Sequence, residues 1–162
     1  MATGICIVGK SNSGKTTLIL KIIEELQKRG YKVATLKHHS HRSHMDQPGK
    51  DTWKHYNAGA EQVMISSPSG YAIYRRIEKE LTIDELLDYN KGMDIVLIEG
   101  YKRAAMPKVE VVRRERSTEM ICSPDEVLAV VSDINFDIGK PLFHIDDYLS
   151  ISDFIEKNII EN

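Results

Sequence analysis

Residues 9–16 read Gly-Lys-Ser-Asn-Ser-Gly-Lys-Thr, a complete match to the pattern G-x-x-x-x-G-K-[ST]. The apolar run Ile5 to Val8 precedes the match and is typical of a buried strand. An amphipathic stretch from about Lys15 to Arg29 follows it and predicts a helix. Because this motif forms a phosphate-binding loop only between a strand and a helix, we expect the chain to fold around such a loop.

The residue types of this loop suit the phosphates of a nucleotide. Glycines allow a tight turn whose N–H groups point inward, and the helix N-terminus adds the positive end of its dipole. Lys15 is expected to place its cation against the β- and γ-phosphates, which makes it a candidate catalytic residue. The Thr16 hydroxyl is expected to ligate Mg²⁺.

Further apolar runs separated by helical patterns predict an α/β fold, a P-loop NTPase-like, mostly parallel twisted sheet with flanking helices. The predicted strands of this sheet are residues 5–8, 31–36, 94–99, 109–113, 127–132 and 142–145. Residues 62–66 and 71–77 flank the turn signal Ser-Pro-Ser-Gly and predict a projecting β-hairpin. Helices are predicted at 51–58, with Asp51 as its cap, at 82–89, and at the end of the chain. We expect one domain over residues 1–162.

Composition excludes several classes of protein. The formal net charge of −2 argues against a chain that binds nucleic acid through its overall charge. No apolar run approaches the roughly 18 residues of a membrane span. Two cysteines, Cys6 and Cys122, do not make a disulfide framework. A cytoplasmic protein that binds neither nucleic acid nor membrane is the expectation.

Glu99 is the candidate acidic partner of the loop. A P-loop needs a carboxylate at the C-terminal end of a neighbouring strand, where ligands of parallel sheets bind. Asp94 and Glu99 bound one buried run, so only Glu99 lies at that end. We expect Glu99 to bind Mg²⁺ through a water or to position the attacking water, and Asp94 to face solvent.

The loop after the second predicted strand is rich in polar residues. Its histidines are His38, His39, His41 and His44. A polar loop near the phosphates and a transition-metal site are both open, although no periodic scaffold supports the metal site. Asp46 or Asp51 is a candidate to reach Mg²⁺, and Lys50 to reach phosphate or an anionic partner; ordinary surface charges are the alternative. No arginine is evident beside the P-loop to speed hydrolysis, so Arg42 or a partner residue is a candidate.

Asp133 follows a predicted strand and is a candidate to read the base. A carboxylate there can accept hydrogen bonds from the ring N–H and the amino group of guanine, a donor pair that adenine lacks. A turn aspartate at the end of a strand is the alternative. A basic stretch also runs from Lys102 to Arg116, which suits an anionic small molecule, an acidic protein face or a solvated surface.

Several segments together resemble the molybdopterin-guanine dinucleotide biosynthesis adaptor proteins, the MobB family. The segments are residues 9–17, 37–39, 46–53, 58–60, 94–102 and 107–111. The D-x-P-G-K-D-[ST] segment and the strand ending Glu-Gly-Tyr-Lys are the most specific of them. The resemblance extends from Thr3 to about Asp133.

The resemblance implies a GTP-binding protein with weak GTP hydrolysis, usually a dimer, that assists the enzyme joining GMP to molybdopterin. The phosphates would be held by Gly9, Lys10, Ser11, Asn12, Ser13, Gly14, Lys15, Thr16 and Thr17. Thr16 and Glu99, with Asp46 as a further candidate, would form the magnesium environment. The loop that contains Asp46 and Lys50 would lie over the nucleotide or the pterin.

We therefore expect a Mg²⁺-dependent GTP-binding accessory protein with slow hydrolysis. Its expected partners are molybdopterin or its guanine dinucleotide, a molybdenum cofactor guanylyltransferase, and a second copy of the chain paired at the hairpin edge. Three alternatives stay open: a small-molecule kinase, a GTPase metallochaperone that uses the histidine loop, and a scaffold with a degenerate nucleotide site.

Overall fold

The computed structural model describes residues 3–39 and 46–161. These residues form two compact units. The first holds the described residues up to His38 and from Thr82 onward, and the second holds those from His39 to Leu81. The assignment of residues 1–162 to one domain stays a prediction.

The first unit is built on a six-stranded sheet in which every strand pair is parallel. Its strands are β1 (Thr3–Val8), β2 (Val33–Lys37), β5 (Ile95–Glu99), β6 (Lys108–Val112), β7 (Ala129–Ser132) and β8 (Leu142–His144), in the order β2-β5-β1-β6-β7-β8. The α/β class and the mostly parallel sheet that the sequence predicts are confirmed. Since β1 lies between β5 and β6, the loop after β1 opens at the centre of the sheet edge.

Three helices belong to this unit: α1 (Lys15–Lys28), α3 (Ile83–Asp88) and α4 (Tyr148–Ile155), the last continued by a π-helical turn (Glu156–Ile160). A single 3₁₀ turn covers Pro124–Glu126. The capping box at the start of α3 is confirmed, because the Glu85 N–H donates to the Thr82 hydroxyl and the Thr82 N–H donates to the Glu85 carboxylate. No helix among the described residues is both long and apolar enough to cross a membrane.

Both faces of the sheet are covered by apolar side chains. Ile5 and Ile7 of β1 belong to a cluster with buried residues of α1 and α4, whereas Cys6 and Val8 belong to a second cluster with Leu87 of α3. Consecutive β1 residues thus enter opposite layers, which explains why the strand reads as a continuous apolar run. The buried Ile151, Ile155 and Ile159 make the end of the chain part of the core.

The second unit holds α2 (Asp51–Asn57) and an antiparallel hairpin of β3 (Gln62–Ser67) and β4 (Gly70–Arg75). The rings of Tyr56 and Tyr74 lie 4.3 Å apart, so α2 packs on one face of the hairpin. The predicted hairpin is confirmed. The predicted cap of α2 is wrong, because Lys50 is the N-cap and Asp51 is already in the helix, where it pairs with Lys54 at 3.2 Å.

Strand and helix ends differ from the prediction by one to two residues at several places. The second strand begins at Val33 instead of Tyr31, and its preceding residues serve other contacts. Tyr31 donates its hydroxyl to Glu156, and the Lys32 N–H donates to Asp94. Helix α1 ends at Lys28, with Arg29 as its cap.

Candidate nucleotide-binding site

The loop between β1 and α1 has a backbone that requires glycine at its first position. A Cβ on Gly9 would lie 2.3 Å from the Val111 carbonyl oxygen of β6, and Gly9 has a φ of 145°. Asn12 and Gly14 also have positive φ, at 60° and 97°. Gly14 is the N-cap of α1 and has no side chain, so no N-cap side chain accepts from the first N–H groups of this helix.

Lys15 lies folded across this loop. Its ammonium group donates to the carbonyl oxygens of Gly9, at 3.1 Å, and of Lys10, at 2.7 Å. Burial lowers the pKa of Lys15, the nearby Glu99 carboxylate opposes that shift, and Lys37 adds to it. The ammonium group therefore lies against the loop itself, and its contact with phosphate stays a prediction.

Glu99 lies at the same edge as the loop and joins two strands to α1. The Thr16 hydroxyl donates to both Glu99 oxygens, at 3.2 and 3.1 Å. Lys37 Nζ is 3.2 Å from Glu99 Oε1. Asp94 lies at the opposite end of β5, where it is exposed and accepts the Lys32 N–H. The structure thus separates the two carboxylates as the strand direction predicts.

The position of Lys37 beside Glu99 depends on the pairing of β2 with β5, which cannot be read from a single sequence. Lys37 is the last residue of β2 and lies opposite Glu99 in the register of β2 and β5. These strands are far apart in the chain, and the order β2-β5-β1 makes them neighbours. The only sign of this contact in the sequence is that Lys37 lies between a predicted strand and a polar loop.

The segment after Glu99 is fixed to the segment after Lys37. The His38 N–H donates to the Glu99 carbonyl oxygen at 3.0 Å, and the rings of His38 and Tyr101 lie 4.2 Å apart. Gly100 and Tyr101 both have positive φ, at 104° and 54°. Because a tyrosine adopts this conformation at an energetic cost, the surrounding contacts must hold it there.

The other loop residues face a second group of polar side chains. Lys10 donates to the Ser117 hydroxyl at 2.6 Å, away from Lys15. Ser13 is 1% exposed, and within the described chain its hydroxyl has no hydrogen-bond partner. Both border a shallow depression whose wall includes Arg113 and Arg116. Ser11 and Thr17 are exposed.

Glu110 and Asp133 organise the segments that follow β6 and β7. Glu110 is buried, and its carboxylate accepts the N–H groups of Ile121 and Cys122 at 2.6 and 3.0 Å. Asp133 accepts the Arg114 N–H at 2.8 Å through Oδ1. Asp133 follows β7 at the loop edge of the sheet, and its reading of a guanine base stays a prediction.

The remaining predicted site residues belong to the second unit. Asp46 accepts the N–H of Gln47 at 2.7 Å, and Lys50 is the N-cap of α2. Their approach to nucleotide or magnesium stays a prediction. His41, His44 and Arg42 lie outside the described residues. Within 3–39 and 46–161, no three His, Cys, Asp or Glu side chains are grouped as a metal site.

Comparison with known proteins decides the family. Residues 4–133 match the family model described as molybdopterin guanine dinucleotide synthesis protein B. The chain belongs to this family. The match covers the range over which the sequence motifs resemble MobB proteins, so that prediction is confirmed.

Relatives extend the similarity beyond residue 133. A molybdopterin-guanine dinucleotide biosynthesis adapter protein of Haemophilus influenzae is 36% identical over 93% of this chain and 85% of the relative. One of Escherichia coli is 33% identical over 90% of this chain and 86% of the relative. A crystal structure of molybdopterin-guanine biosynthesis protein B superposes with a TM-score of 0.75 at 34% identity, over 95% of this chain and 97% of that one. The C-terminal helix is therefore included in the shared fold.

Proposed function

We propose that this protein is a GTP-binding adapter in the synthesis of molybdopterin guanine dinucleotide. Its family and the names of its relatives support the adapter role. Nucleotide binding is supported by one observation: Lys15, Thr16 and Glu99 lie together at the N-terminus of α1. A nucleoside triphosphate and its metal are bound by such a set of groups: a cation, a hydroxyl and a carboxylate at a helix N-terminus.

The donor atoms of Thr16 and Glu99 suit Mg²⁺. A hydroxyl oxygen and a carboxylate are hard ligands, and they already lie within hydrogen-bond distance of each other. Magnesium, when bound, would neutralise charge on the β- and γ-phosphates. Lys15 would hold the same phosphates, and the open N–H groups of α1 would bind their oxygens.

Hydrolysis of GTP to GDP and phosphate is expected to be slow when the protein acts alone. Glu99 is the candidate to orient the attacking water, but its carboxylate contacts both Thr16 and Lys37. Activated GTPases add an arginine to such a site. An enzyme partner that supplies this charge would couple hydrolysis to complex formation.

Asp133 supports the choice of GTP over ATP. One of its carboxylate oxygens accepts the Arg114 N–H, which fixes the side chain at the end of β7. A carboxylate has two acceptor oxygens, so Asp133 can accept further donors besides the Arg114 N–H. A base placed there would offer two donors if it were guanine.

Titration calorimetry with GTP and with ATP, each with and without Mg²⁺, tests the nucleotide part. We expect GTP to bind more tightly than ATP, and Mg²⁺ to strengthen GTP binding. Equal affinity for both nucleotides would remove the role of Asp133, and binding of neither would overturn the proposal.

The adapter role is tested by reconstitution with the guanylyltransferase that joins GMP to molybdopterin. We expect the protein to raise the yield of guanine dinucleotide, and GTP to increase that effect. An analysis of the products for phosphorylated metabolites in the same reaction tests the small-molecule kinase alternative.

The two free cysteines, Cys6 and Cys122, fit a reducing compartment, and we place this function in the cytoplasm.

The hairpin of the second unit favours a homodimer. Met64 and Ile73 form a cross-strand pair on one face, and Tyr71 follows on the same face; they are 57, 50 and 75% exposed. Two strands alone make a marginal sheet, and apolar faces of this kind commonly bind another protein. A second copy of the chain, which carries the same face, is the partner we propose.

A further inference from the structure

Lys37 is a second cationic side chain at the nucleotide-binding edge. Its ammonium nitrogen is 3.2 Å from Glu99 Oε1, and its side chain is 55% exposed, against 16% for Glu99. The pair follows from the sheet, because Lys37 ends β2 opposite the last residue of β5. Lys37 therefore holds a carboxylate that lies beside the P-loop.

Positive charge is in excess around this carboxylate. Glu99 and Lys37 shift the pKa of Lys15 in opposite directions, after the larger effect of burial, so the three side chains lie within electrostatic range of one another. Lys15 is bonded to two carbonyl oxygens of the loop. Two ammonium groups and one carboxylate leave a net positive charge, which suits a polyanion.

The backbone that carries Lys37 is anchored, while its side chain is largely exposed. The next residue, His38, donates its N–H to the Glu99 carbonyl oxygen and stacks on Tyr101. The ammonium group can therefore exchange one anionic partner for another without a change in the sheet. Exposed ion pairs contribute little free energy, so such an exchange is energetically accessible.

We propose that Lys37 binds the terminal phosphate of a nucleoside triphosphate and makes the site discriminate a triphosphate from a diphosphate. This inference rests on the proposed function. Where Glu99 and Thr16 hold the metal of a bound nucleotide, Lys37 would no longer have Glu99 to itself as its charge partner. The γ-phosphate is one of the phosphates that Lys15 is expected to hold. It is the anion that would replace Glu99 as the partner of Lys37. A diphosphate does not supply it.

The experiment compares the affinities for GDP and for the β,γ-imido analogue of GTP by titration calorimetry in Mg²⁺. Replacement of Lys37 by alanine is expected to weaken the triphosphate analogue by roughly tenfold or more, as for a lost charged hydrogen bond. The affinity for GDP should stay within about twofold, since that ligand makes no contact with Lys37. Lys37→Arg should retain the discrimination. Lys32→Ala, at the opposite end of the same strand, is the matched control and should bind both nucleotides as the wild type does.

Loss of Lys37 also removes the cation beside Glu99, and repulsion between that carboxylate and the terminal phosphate would by itself weaken the triphosphate analogue more than GDP. The Lys37→Ala change is therefore repeated in a Glu99→Gln background, where this repulsion is absent. We expect the discrimination to fall by a similar factor there. An absence of any effect in that background would mean that Lys37 only neutralises Glu99, and the inference would be wrong.

The outcomes separate this inference from the proposed function. If wild-type protein binds GTP and Lys37→Ala keeps the wild-type ratio of the two affinities, the inference alone is overturned. Equal weakening of GDP and of the analogue overturns it as well. Failure of the wild type to bind either nucleotide overturns the proposed function, and the inference with it.

Discussion

The hydroxyl of Thr16 donates to both carboxylate oxygens of Glu99, although 83 residues separate the two along the chain. This contact joins the first turn of α1 to the end of β5, the strand next to β1. It places the two candidate metal ligands within hydrogen-bond distance of each other. The site is thus largely organised by the pairing of β1, β2 and β5.

The Lys15→Ala substitution tests the cation of the P-loop. We expect the affinity for GTP to fall by roughly ten- to hundredfold, because the phosphates lose a charged hydrogen bond. Titration calorimetry measures it. Lys28→Ala, at the exposed C-terminal end of the same helix, is the control. If both variants bind GTP as the wild type does, Lys15 has no phosphate role.

The Glu99→Gln substitution tests the metal environment. The amide keeps the size of the side chain but removes its charge, so we expect Mg²⁺ to lose most of its strengthening effect on GTP binding. Binding in EDTA should be retained, because Lys15 and the helix N-terminus remain. Calorimetry at several Mg²⁺ concentrations measures the change. A wild-type response to Mg²⁺ in this variant would exclude Glu99 from the metal site.

The Gly9→Ala substitution tests the close approach of the P-loop to β6. The new Cβ would meet the Val111 carbonyl oxygen at 2.3 Å in addition to adopting a positive φ. Gly30→Ala is a matched control, because Gly30 also has a positive φ but has no atom within 4 Å of its added Cβ. The control should lose about 1–2 kcal/mol of unfolding free energy from its backbone alone, and Gly9→Ala about 1–3 kcal/mol more. Urea unfolding measures both, and equal losses would show that the loop can move away from β6.

Stability at low pH tests the contact between α1 and the end of the chain. Glu156 accepts from the Tyr31 hydroxyl at 2.7 Å and from Arg29 at 2.6 Å, and these bonds lower the pKa of Glu156 below its ordinary value of 4.5. Because the folded-state pKa is the lower one, the carboxylate stabilises the fold fully above pH 4.5 and loses this effect as the pH falls through the folded-state value. Glu156→Gln should therefore be less stable than the wild type at pH 7, by about 1 kcal/mol, because its partly buried bonds with Arg29 and Tyr31 lose their charge.

The same comparison is made by urea unfolding between pH 7 and pH 3. We expect the difference between the wild type and Glu156→Gln to shrink below pH 4.5, where the wild-type carboxylate becomes protonated. Asp125→Asn, in the 3₁₀ turn, serves as a control for the general effect of losing one carboxylate. A difference that stays constant down to pH 3 would exclude the ionised Glu156 as its source.

Local pattern and strand direction were sufficient to predict a glycine-containing loop between β1 and α1 and the end of β5 at which Glu99 lies. Both depend on residues close together in sequence and on the rule that ligands bind at the carboxyl ends of parallel strands. The pairing of Lys37 with Glu99 depends on the order of distant strands, which the pattern of one chain does not encode. The cap of α2 was wrongly predicted because Asp51 fits the N-cap preference, yet the helix begins one residue earlier than that preference implies.

The contacts of the buried Glu110 in β6 likewise could not be predicted from the sequence. In the sequence Glu110 alternates with Val109 and Val111 in a predicted strand, and this pattern does not tell which groups its carboxylate contacts. In the structure both faces of β6 are buried, and the carboxylate is satisfied by the N–H groups of Ile121 and Cys122. Its role is visible only once the segment after β6 folds back over the strand.

The exposed hairpin face tests the proposed homodimer. Ile73→Asp places a charge beside Met64 and Tyr71 on that face. Burying an unpaired carboxylate in an interface is unfavourable. We expect the dimer to dissociate into folded monomers, as measured by sedimentation velocity over a range of concentrations. Leu149→Asp is the control: Leu149 is 48% exposed in the first turn of α4, where a helix N-terminus tolerates a carboxylate. A dimer that persists in Ile73→Asp but dissociates in Leu149→Asp would move the interface from the hairpin to α4.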